Sequence, residues 1–114
     1  MRGKSVVFMV ATRCRPDQEE KFNKWYNAVH APMVLKSRGA IGVTRYKLAS
    51  VKADEGEYPA YLAIYEFEDT KAWQEFWTGP VLTEAREEMK GTWGDDGFDV
   101  EWRVVYEPLW TSFK

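Results

Sequence analysis

The stretch Phe22–Leu48, reading FNKWYNAVHAPMVLKSRGAIGVTRYKL, changes from helical to strand-like hydrophobic spacing within a few residues. Its end, Ala40–Leu48, alternates like a strand with one polar face. Pro32 disfavours helical backbone in the residue before it, so the helix is expected to end at about His30. The apolar positions with helical spacing in the first half are Phe22, Trp25, Tyr26 and Val29.

The sequence before this stretch predicts one strand and the start of the helix. Ser5–Arg13 is rich in β-branched residues and too short for a typical helix, which favours a strand. Pro16 and Asp17 then indicate a turn and a helix cap, so helix one covers Asp17 to about His30. A further helical turn is expected over Met33–Ser37.

The sequence after Leu48 predicts two more strands and one interrupted helix. Apolar spacing and turn residues define these elements. We expect a loop at Ala49–Pro59, a strand at Ala60–Phe67, a helix from the Glu68-Asp69-Thr70 cap to about Lys90 with an interruption at Gly79-Pro80, a loop at Gly91–Gly97 and a strand at Phe98–Leu109.

The resulting order, β-α-β-β-α-β, predicts an α+β fold of the ferredoxin-like type with a four-stranded antiparallel sheet and both helices on one face. A chain of 114 residues is long enough for one core, so residues 1–114 are expected to be a single domain. The first and third strands are apolar on both faces. Burial of the second face against an identical subunit would explain this pattern, so we expect a homodimer.

Composition excludes several classes of function. The net charge is −2 and basic residues are not clustered, which argues against nucleic-acid binding. The apolar run Val6–Ala11 is too short to cross a membrane, and Arg13 and Arg15 follow it without a signal-peptide cleavage segment. Cys14 is the only cysteine, which fits a reducing compartment, so a soluble, cytoplasmic protein is expected.

The single histidine, His30, has two interpretations. At a helix C-terminus the dipole would favour the imidazolium and raise its pKa, which is the structural role of a cap. Among aromatic neighbours, it would instead act as a general acid or base at the mouth of a cavity and titrate close to neutrality. With one His and one Cys, a His/Cys zinc site is not available within one chain, and no glycine-rich phosphate loop occurs.

The stretch Phe22–Leu48 resembles the EthD-like branch of the dimeric α+β barrel superfamily. In that branch a helix ending in Trp-(Tyr)-x-x-x-His-x-Pro precedes a short turn and a strand with an Arg-Tyr pair. The resemblance implies the dimeric barrel fold. It covers several chemistries, among them cofactor-free monooxygenases, polyketide cyclases, decarboxylases, lactone isomerases and haem-degrading enzymes. The matching positions here are Trp25, Tyr26, His30, Pro32, Arg45 and Tyr46.

These observations predict a cofactor-independent enzyme acting on a small hydrophobic, aromatic or polyketide-like carbonyl compound. His30 would transfer the proton, and the hydroxyls of Tyr46 and Tyr65 would orient the substrate oxygen. No flavin, nicotinamide or metal is expected. The alternatives are a binding protein for a hydrophobic metabolite, a haem-binding protein with His30 as axial ligand, and a structural dimer. The aromatic wall of the site would consist of Trp25, Tyr26, Trp73, Phe76 and Trp77.

Overall fold

The computed structural model describes residues 5–51 and 56–114, which form four strands and a series of helices. The predicted loop Ala49–Pro59 lies partly outside the described residues, and the basic start Met1–Lys4 lies wholly outside them. None of the helices in the described part of the chain is long and apolar enough to span a membrane. In chain order the elements are β1 (Val6–Cys14), a 3-10 turn (Pro16–Gln18), α1 (Glu19–Trp25), a π-helical turn (Tyr26–His30), α2 (Ala31–Val34), β2 (Ala40–Lys47), β3 (Tyr61–Phe67), α3 (Thr70–Trp77), α4 (Pro80–Trp93) and β4 (Phe98–Tyr106).

The four strands form one antiparallel sheet in the order β2-β3-β1-β4. Burial alternates strictly along β3, because successive side chains of a strand point to opposite faces. Apart from Ala11, which lies on the opposite face, the buried positions of β1 and β3 belong to the face that the helices cover. The predicted α+β, ferredoxin-like fold is therefore confirmed. The buried residues on this face are Val6, Phe8, Val10, Thr12, Tyr61, Ala63, Tyr65 and Phe67.

Aromatic rings from the helices fill the space above this sheet face. Phe22 of α1 is fully buried and packs edge-on against Tyr26 at a centroid distance of 5.6 Å. Trp93 of α4 and Phe98 of β4 close the same cluster, with their ring centroids 5.5 Å apart. Edge-to-face and tilted contacts of this kind stabilise a core beyond the area that they bury. The aromatic-rich composition thus forms the core between the helices and the sheet.

The prediction that helix one ends at His30 is wrong. The helix continues through a π-helical turn, in which the N–H of Ala31 donates to the carbonyl of Tyr26 five residues earlier, and then through α2 to Val34. The wider turn interrupts the α-helical hydrogen-bond pattern immediately before Pro32, which has no N–H to donate. The proline is therefore accommodated in the first turn of α2 and does not end the helix.

The predicted loop Gly91–Gly97 is also too long, because α4 continues to Trp93. Gly97 has a positive φ of +128°, and a Cβ there would lie 2.2 Å from the Trp93 ring. The chain must therefore turn with glycine at this position so that the Trp93 ring can pack beneath it. The structure otherwise places the predicted strands within a few residues of their expected bounds.

A register shift in β4 changes which side chains face the helices. Val100 pairs with Thr12, and Trp102 pairs with Ala11, so the partner strand has no residue opposite Glu101. Such a bulge moves the following side chains by one position relative to simple alternation. Arg103 consequently pairs with Val10, a residue of the helix-covered face.

Candidate functional site

His30 lies in the π-helical turn, against the rings of Trp25 and Tyr26. The imidazole stacks on Trp25 at a centroid distance of 4.9 Å and meets Tyr26 edge-on at 5.0 Å. Its Nδ1 atom is buried and has no hydrogen-bond partner among the described residues. Single π-helical turns occur frequently at functional sites. The turn therefore presents an unsatisfied polar atom from within an aromatic environment.

Burial lowers the pKa of His30 from 6.5 to about 4. Desolvation is the main cause, and the positive charges of Arg103 and Arg45 lower the pKa further, whereas Glu88 raises it. A cap would have raised this pKa, so the cap interpretation is wrong: the helix does not end here, and its terminal carbonyls are not available to the ring. This pKa is also lower than the near-neutral pKa expected of a general base in a cavity. His30 is therefore a neutral imidazole at pH 7.

Two tyrosine residues, Tyr26 and Tyr65, line the same pocket as His30. Tyr65 of β3 donates a hydrogen bond to the hydroxyl oxygen of Tyr26 over 3.1 Å, and both side chains are buried. Burial raises the pKa of both phenols, so both remain protonated at neutral pH. The hydroxyl hydrogen of Tyr26 has no acceptor among the described residues. Tyr26 is thus available as a donor to a bound oxygen atom.

Arg45 of β2 covers the ring of Tyr26 on the side of α1. Its guanidinium carbon lies 4.3 Å from the centroid of the Tyr26 ring, a cation–π contact. Its two terminal nitrogens donate to the amide oxygens of Asn27 and Asn23 over 2.8 and 2.9 Å. Partial burial lowers the pKa of Arg45, although the group stays charged at neutral pH. Arg45 therefore holds the Tyr26 ring in place and adds positive potential near the two phenol groups.

A pocket between the helices and the sheet brings His30, Tyr26 and Tyr65 together. With its open mouth the pocket measures about 520 Å³, but the space that the centre of a water molecule can reach is only about 40 Å³. Since roughly 10–15 Å³ on that measure holds one water, a ring-sized ligand requires side chains at the mouth to move. Met89 is flexible and lies among the lining residues. The pocket is otherwise lined mainly by apolar side chains.

The predicted site residues divide into two groups. Tyr26, His30, Tyr65, Phe76 and Trp77 all line this pocket. The other three do not. Trp25 lies behind His30, and its Nε1 donates to Glu88 over 2.8 Å. Trp73 stacks on Trp77 at 5.5 Å but is not part of the pocket lining. Tyr46 is 51% exposed, because it pairs with Leu62 on the sheet face opposite the helices.

Three charged residues near the site were not predicted. Arg86 of α4 and Arg103 of β4 line the pocket, and Glu88 of α4 influences His30. Arg86 shares the helical stripe of Leu82 and Met89 in the sequence, and that spacing was the available signal for it. Arg103 falls on the outer face if alternation is counted from Phe98, and only the bulge places it inward. Its one signal was its position as a single arginine in an apolar strand.

These residues can accept and donate protons but show no metal site. No group of three or more His, Cys, Asp or Glu side chains that could hold a metal ion occurs among the described residues. A neutral imidazole can accept a proton, and a phenol held by a second phenol can donate a hydrogen bond to a carbonyl or developing oxyanion. The arrangement therefore fits acid–base chemistry on an oxygen-containing compound.

Solved structures with the same architecture include an EthD family protein, HapK and the haem degrader MhuD. An EthD family protein from Bacillus halodurans superposes with a TM-score of 0.65 at 12% identity, covering 93% of this chain and 99% of that one. HapK from Hahella chejuensis gives 0.68 at 13% identity, with 96% and 97% covered. The haem degrader MhuD from Mycobacterium tuberculosis, solved with two haems in its active site, gives 0.66 at 19% identity, with 95% and 99% covered.

Because all three sequence identities are low, these likenesses establish the fold alone. They confirm the resemblance to EthD-like and other dimeric α+β barrel proteins at the level of architecture. No curated protein matches the sequence significantly. One family model matches residues 5–103, which is most of the chain. The chain therefore belongs to the family described as a domain of unknown function, DUF4286.

Proposed function

We propose that this protein is a cofactor-independent enzyme that transfers a proton on a small hydrophobic carbonyl compound. The observation that supports the proposal most directly is the position of His30, whose neutral ring lines an apolar pocket and keeps an unpartnered buried nitrogen. Buried polar atoms normally have a partner, and an exception is a common feature of catalytic or binding sites. A bound substrate would supply the missing interaction.

The proposed reaction is removal of a proton from the carbon next to the carbonyl group. His30 accepts the proton, and the electron pair of the broken C–H bond moves to the carbonyl oxygen as an enolate. The hydroxyl of Tyr26 donates to that oxygen, Tyr65 orients Tyr26, and the charge of Arg45 stabilises the oxyanion. Phe76 and Trp77 would contact the hydrophobic part of the substrate. Tyr65 is thus a positioning residue in this scheme, and Tyr46 has no part in it.

The second candidate is a binding protein that holds a hydrophobic metabolite without reacting with it. The low pKa of His30 favours this candidate, because a base with a pKa near 4 is weaker than the near-neutral base that enzymes typically use at pH 7. A haem-binding role fits the residues less well. The narrow space beside His30 is far too small for a porphyrin, and the imidazole is already stacked on Trp25.

We extend the proposal to a homodimer that buries the sheet face opposite the helices. This face presents apolar side chains of all four strands, and Trp102 and Tyr106 remain 39% and 59% exposed on it. Large exposed apolar patches on a folded chain usually mark an interface. The chain after β4 adds further exposed apolar residues, Leu109, Trp110 and Phe113. A second copy of the chain would cover the same face on both subunits.

Deuterium exchange on acetophenone tests the enzymatic proposal. In D₂O the protein should speed exchange of the methyl protons, and His30→Gln should reduce this rate by about 10²-fold or more. Acetophenone binding, measured by saturation-transfer NMR, should change little in the variant. Tyr46→Phe, on the opposite sheet face, is the control and should retain full exchange.

Each alternative predicts a different result. Binding of acetophenone without any exchange in the natural protein would support the binding protein and reject the enzyme. Exchange that survives in His30→Gln would remove His30 from the mechanism. A Soret band of one haem per chain in the purified protein would instead establish the haem-binding role.

A further inference from the structure

Two arginine side chains from different elements line the pocket. Arg103 extends from β4, where its strand partner Val10 also lines the pocket. Arg86 extends from α4, and its guanidinium carbon lies 5.3 Å from the centroid of the Trp77 ring. A cation–π contact orients an arginine but leaves most of its N–H donors free. The two elements therefore contribute two arginine side chains to the lining of one pocket.

No carboxylate neutralises this pair. Neither arginine takes part in an ion pair between described residues, and none of the described residues that line the pocket is acidic. Glu88, the acid whose charge raises the pKa of His30, already accepts hydrogen bonds from Trp25 and Thr92. The two positive charges thus face the pocket without a negative partner on the chain.

The positive charge of Arg86 is close enough to act on Arg103 in the ligand-free protein. Partial burial lowers the pKa of Arg103, and the positive charge of Arg86 lowers it further. Arg45 adds a third positive charge close to Tyr26. Both arginines are exposed, so water screens much of the repulsion between their charges, and a bound anion would relieve what remains. The pocket therefore carries an electrostatic preference as well as a hydrophobic one.

We propose that the ligand of this pocket is an anionic aromatic compound, whose carboxylate is bound by Arg86 and Arg103 while its ring lies against Trp77. Arginine matches a planar carboxylate through two parallel hydrogen bonds, and its planar fork suits a site beside an aromatic ring. The apolar wall and the basic wall would then bind opposite ends of one small molecule. This inference rests on the proposed function, since it names the substrate class of the same site.

Benzoate and benzamide test the inference, because they share size and shape but differ in charge. Their dissociation constants are measured by NMR shifts in the natural protein, in Arg103→Gln and in Arg86→Gln/Arg103→Gln. Benzoate should bind about tenfold or more tightly than benzamide to the natural protein. The double variant should reduce this ratio to less than about threefold, with benzamide affinity nearly unchanged.

Arg38→Gln is the matched control, since Arg38 is an exposed arginine outside the pocket, and it should leave the ratio unchanged. Arg86→Lys/Arg103→Lys retains the two charges without the planar guanidinium groups, so it should give an intermediate ratio. It replaces the Gln variants in the test if those variants lose the dispersed ¹H–¹⁵N spectrum of a folded protein. Equal binding of both compounds would overturn this inference but would leave the proposed hydrophobic binding pocket standing. A preference that persists in the double variant would also overturn it. Binding of neither compound would reject the inference and the proposed function together.

Discussion

At the scale of single residues, the environment of His30 determines its chemistry. The ring is stacked on Trp25, its Nδ1 lacks a partner among the described residues, and burial keeps it neutral. The same histidine at an exposed helix end would be a cation at mildly acidic pH. Its neighbours therefore change both its charge and its capacity to accept a proton.

The first prediction concerns the titration of His30. NMR should give a pKa of about 4, well below the unfolded value of 6.5. Because the unfolded chain binds more protons between these two values, this histidine makes the folded protein more stable as pH rises from about 4 to 6.5, and its effect is constant above. The difference amounts to up to about 3 kcal/mol.

His30→Gln isolates this contribution from the carboxylates that titrate in the same range. The natural protein should lose stability on acidification by more than the variant does, as measured by urea unfolding at pH 4, 5, 6 and 7. Parallel pH profiles of the two proteins would contradict a depressed pKa.

The second prediction concerns the pair of tyrosine hydroxyls. Tyr65→Phe removes the donor to Tyr26, so the free energy of unfolding should fall by about 1 kcal/mol, the usual contribution of one hydrogen bond. Acetophenone exchange should also slow, since Tyr26 is no longer oriented. Tyr46→Phe changes an exposed phenol and should shift stability by less than about 0.5 kcal/mol. If both variants behave alike, the buried hydroxyl pair does not stabilise the fold.

At the scale of elements, two local features position the site. The π-helical turn presents Tyr26 and His30 to the pocket and allows the helix to pass Pro32. The bulge in β4 brings Arg103 to the same side of the sheet as Val10. Both features alter the regular hydrogen-bond pattern by one residue, and both lie next to the candidate site, as such irregularities frequently do.

The third prediction concerns the turn between α4 and β4. Gly97→Ala should lower the free energy of unfolding by about 1–3 kcal/mol, because the backbone has a positive φ and the new Cβ would collide with the Trp93 ring. Gly91→Ala is the matched control, since nothing lies within 4 Å of its added Cβ and its backbone is helical. It should stabilise the protein by up to about 1 kcal/mol, measured by urea unfolding. Equal effects of both substitutions would contradict the close approach at Gly97.

At the scale of the whole molecule, the sheet separates two different surfaces. The helix-covered face contains the aromatic core and the pocket, whereas the opposite face carries half-buried and exposed apolar side chains. Ile64 and Val104 lie on this second face, opposite Met9 in the neighbouring strand. The proposed homodimer would bury them, while the pocket would stay on the other side of each sheet.

The fourth prediction concerns this assembly. Light scattering at micromolar concentration should give the mass of a dimer. Ile64→Glu/Val104→Glu should give a folded monomer, because charges placed in an apolar interface lose their hydration. Thr83→Glu changes an exposed residue of α4 and should remain dimeric. A monomeric mass for the natural protein with an intact fold would contradict the proposal.

The order of the elements and the main division of the chain into core and surface were predictable from the sequence. Strand alternation in Ala40–Lys47 and Tyr61–Phe67, and helical spacing from Phe22 to Val29, are local patterns, and neighbours along the chain are sufficient to specify them. The placement of Tyr65 on the same face as Ala63 follows from the period of two. Of the residues predicted for the aromatic wall, Tyr26, Phe76 and Trp77 line the pocket, whereas Trp25 and Trp73 do not.

Only the tertiary structure decided the end of the first helix, the sheet face on which Arg103 lies and the pKa of His30. A π-helical turn and a bulge each shift hydrogen bonds by one residue, and the bulge is defined by the pairing of β4 with β1, a strand distant in sequence. The pKa of the imidazole likewise depends on charges that are distant in sequence, such as those of Glu88 and Arg103. Periodicity is a property of a segment, whereas register, burial and charge environment are properties of the packed chain.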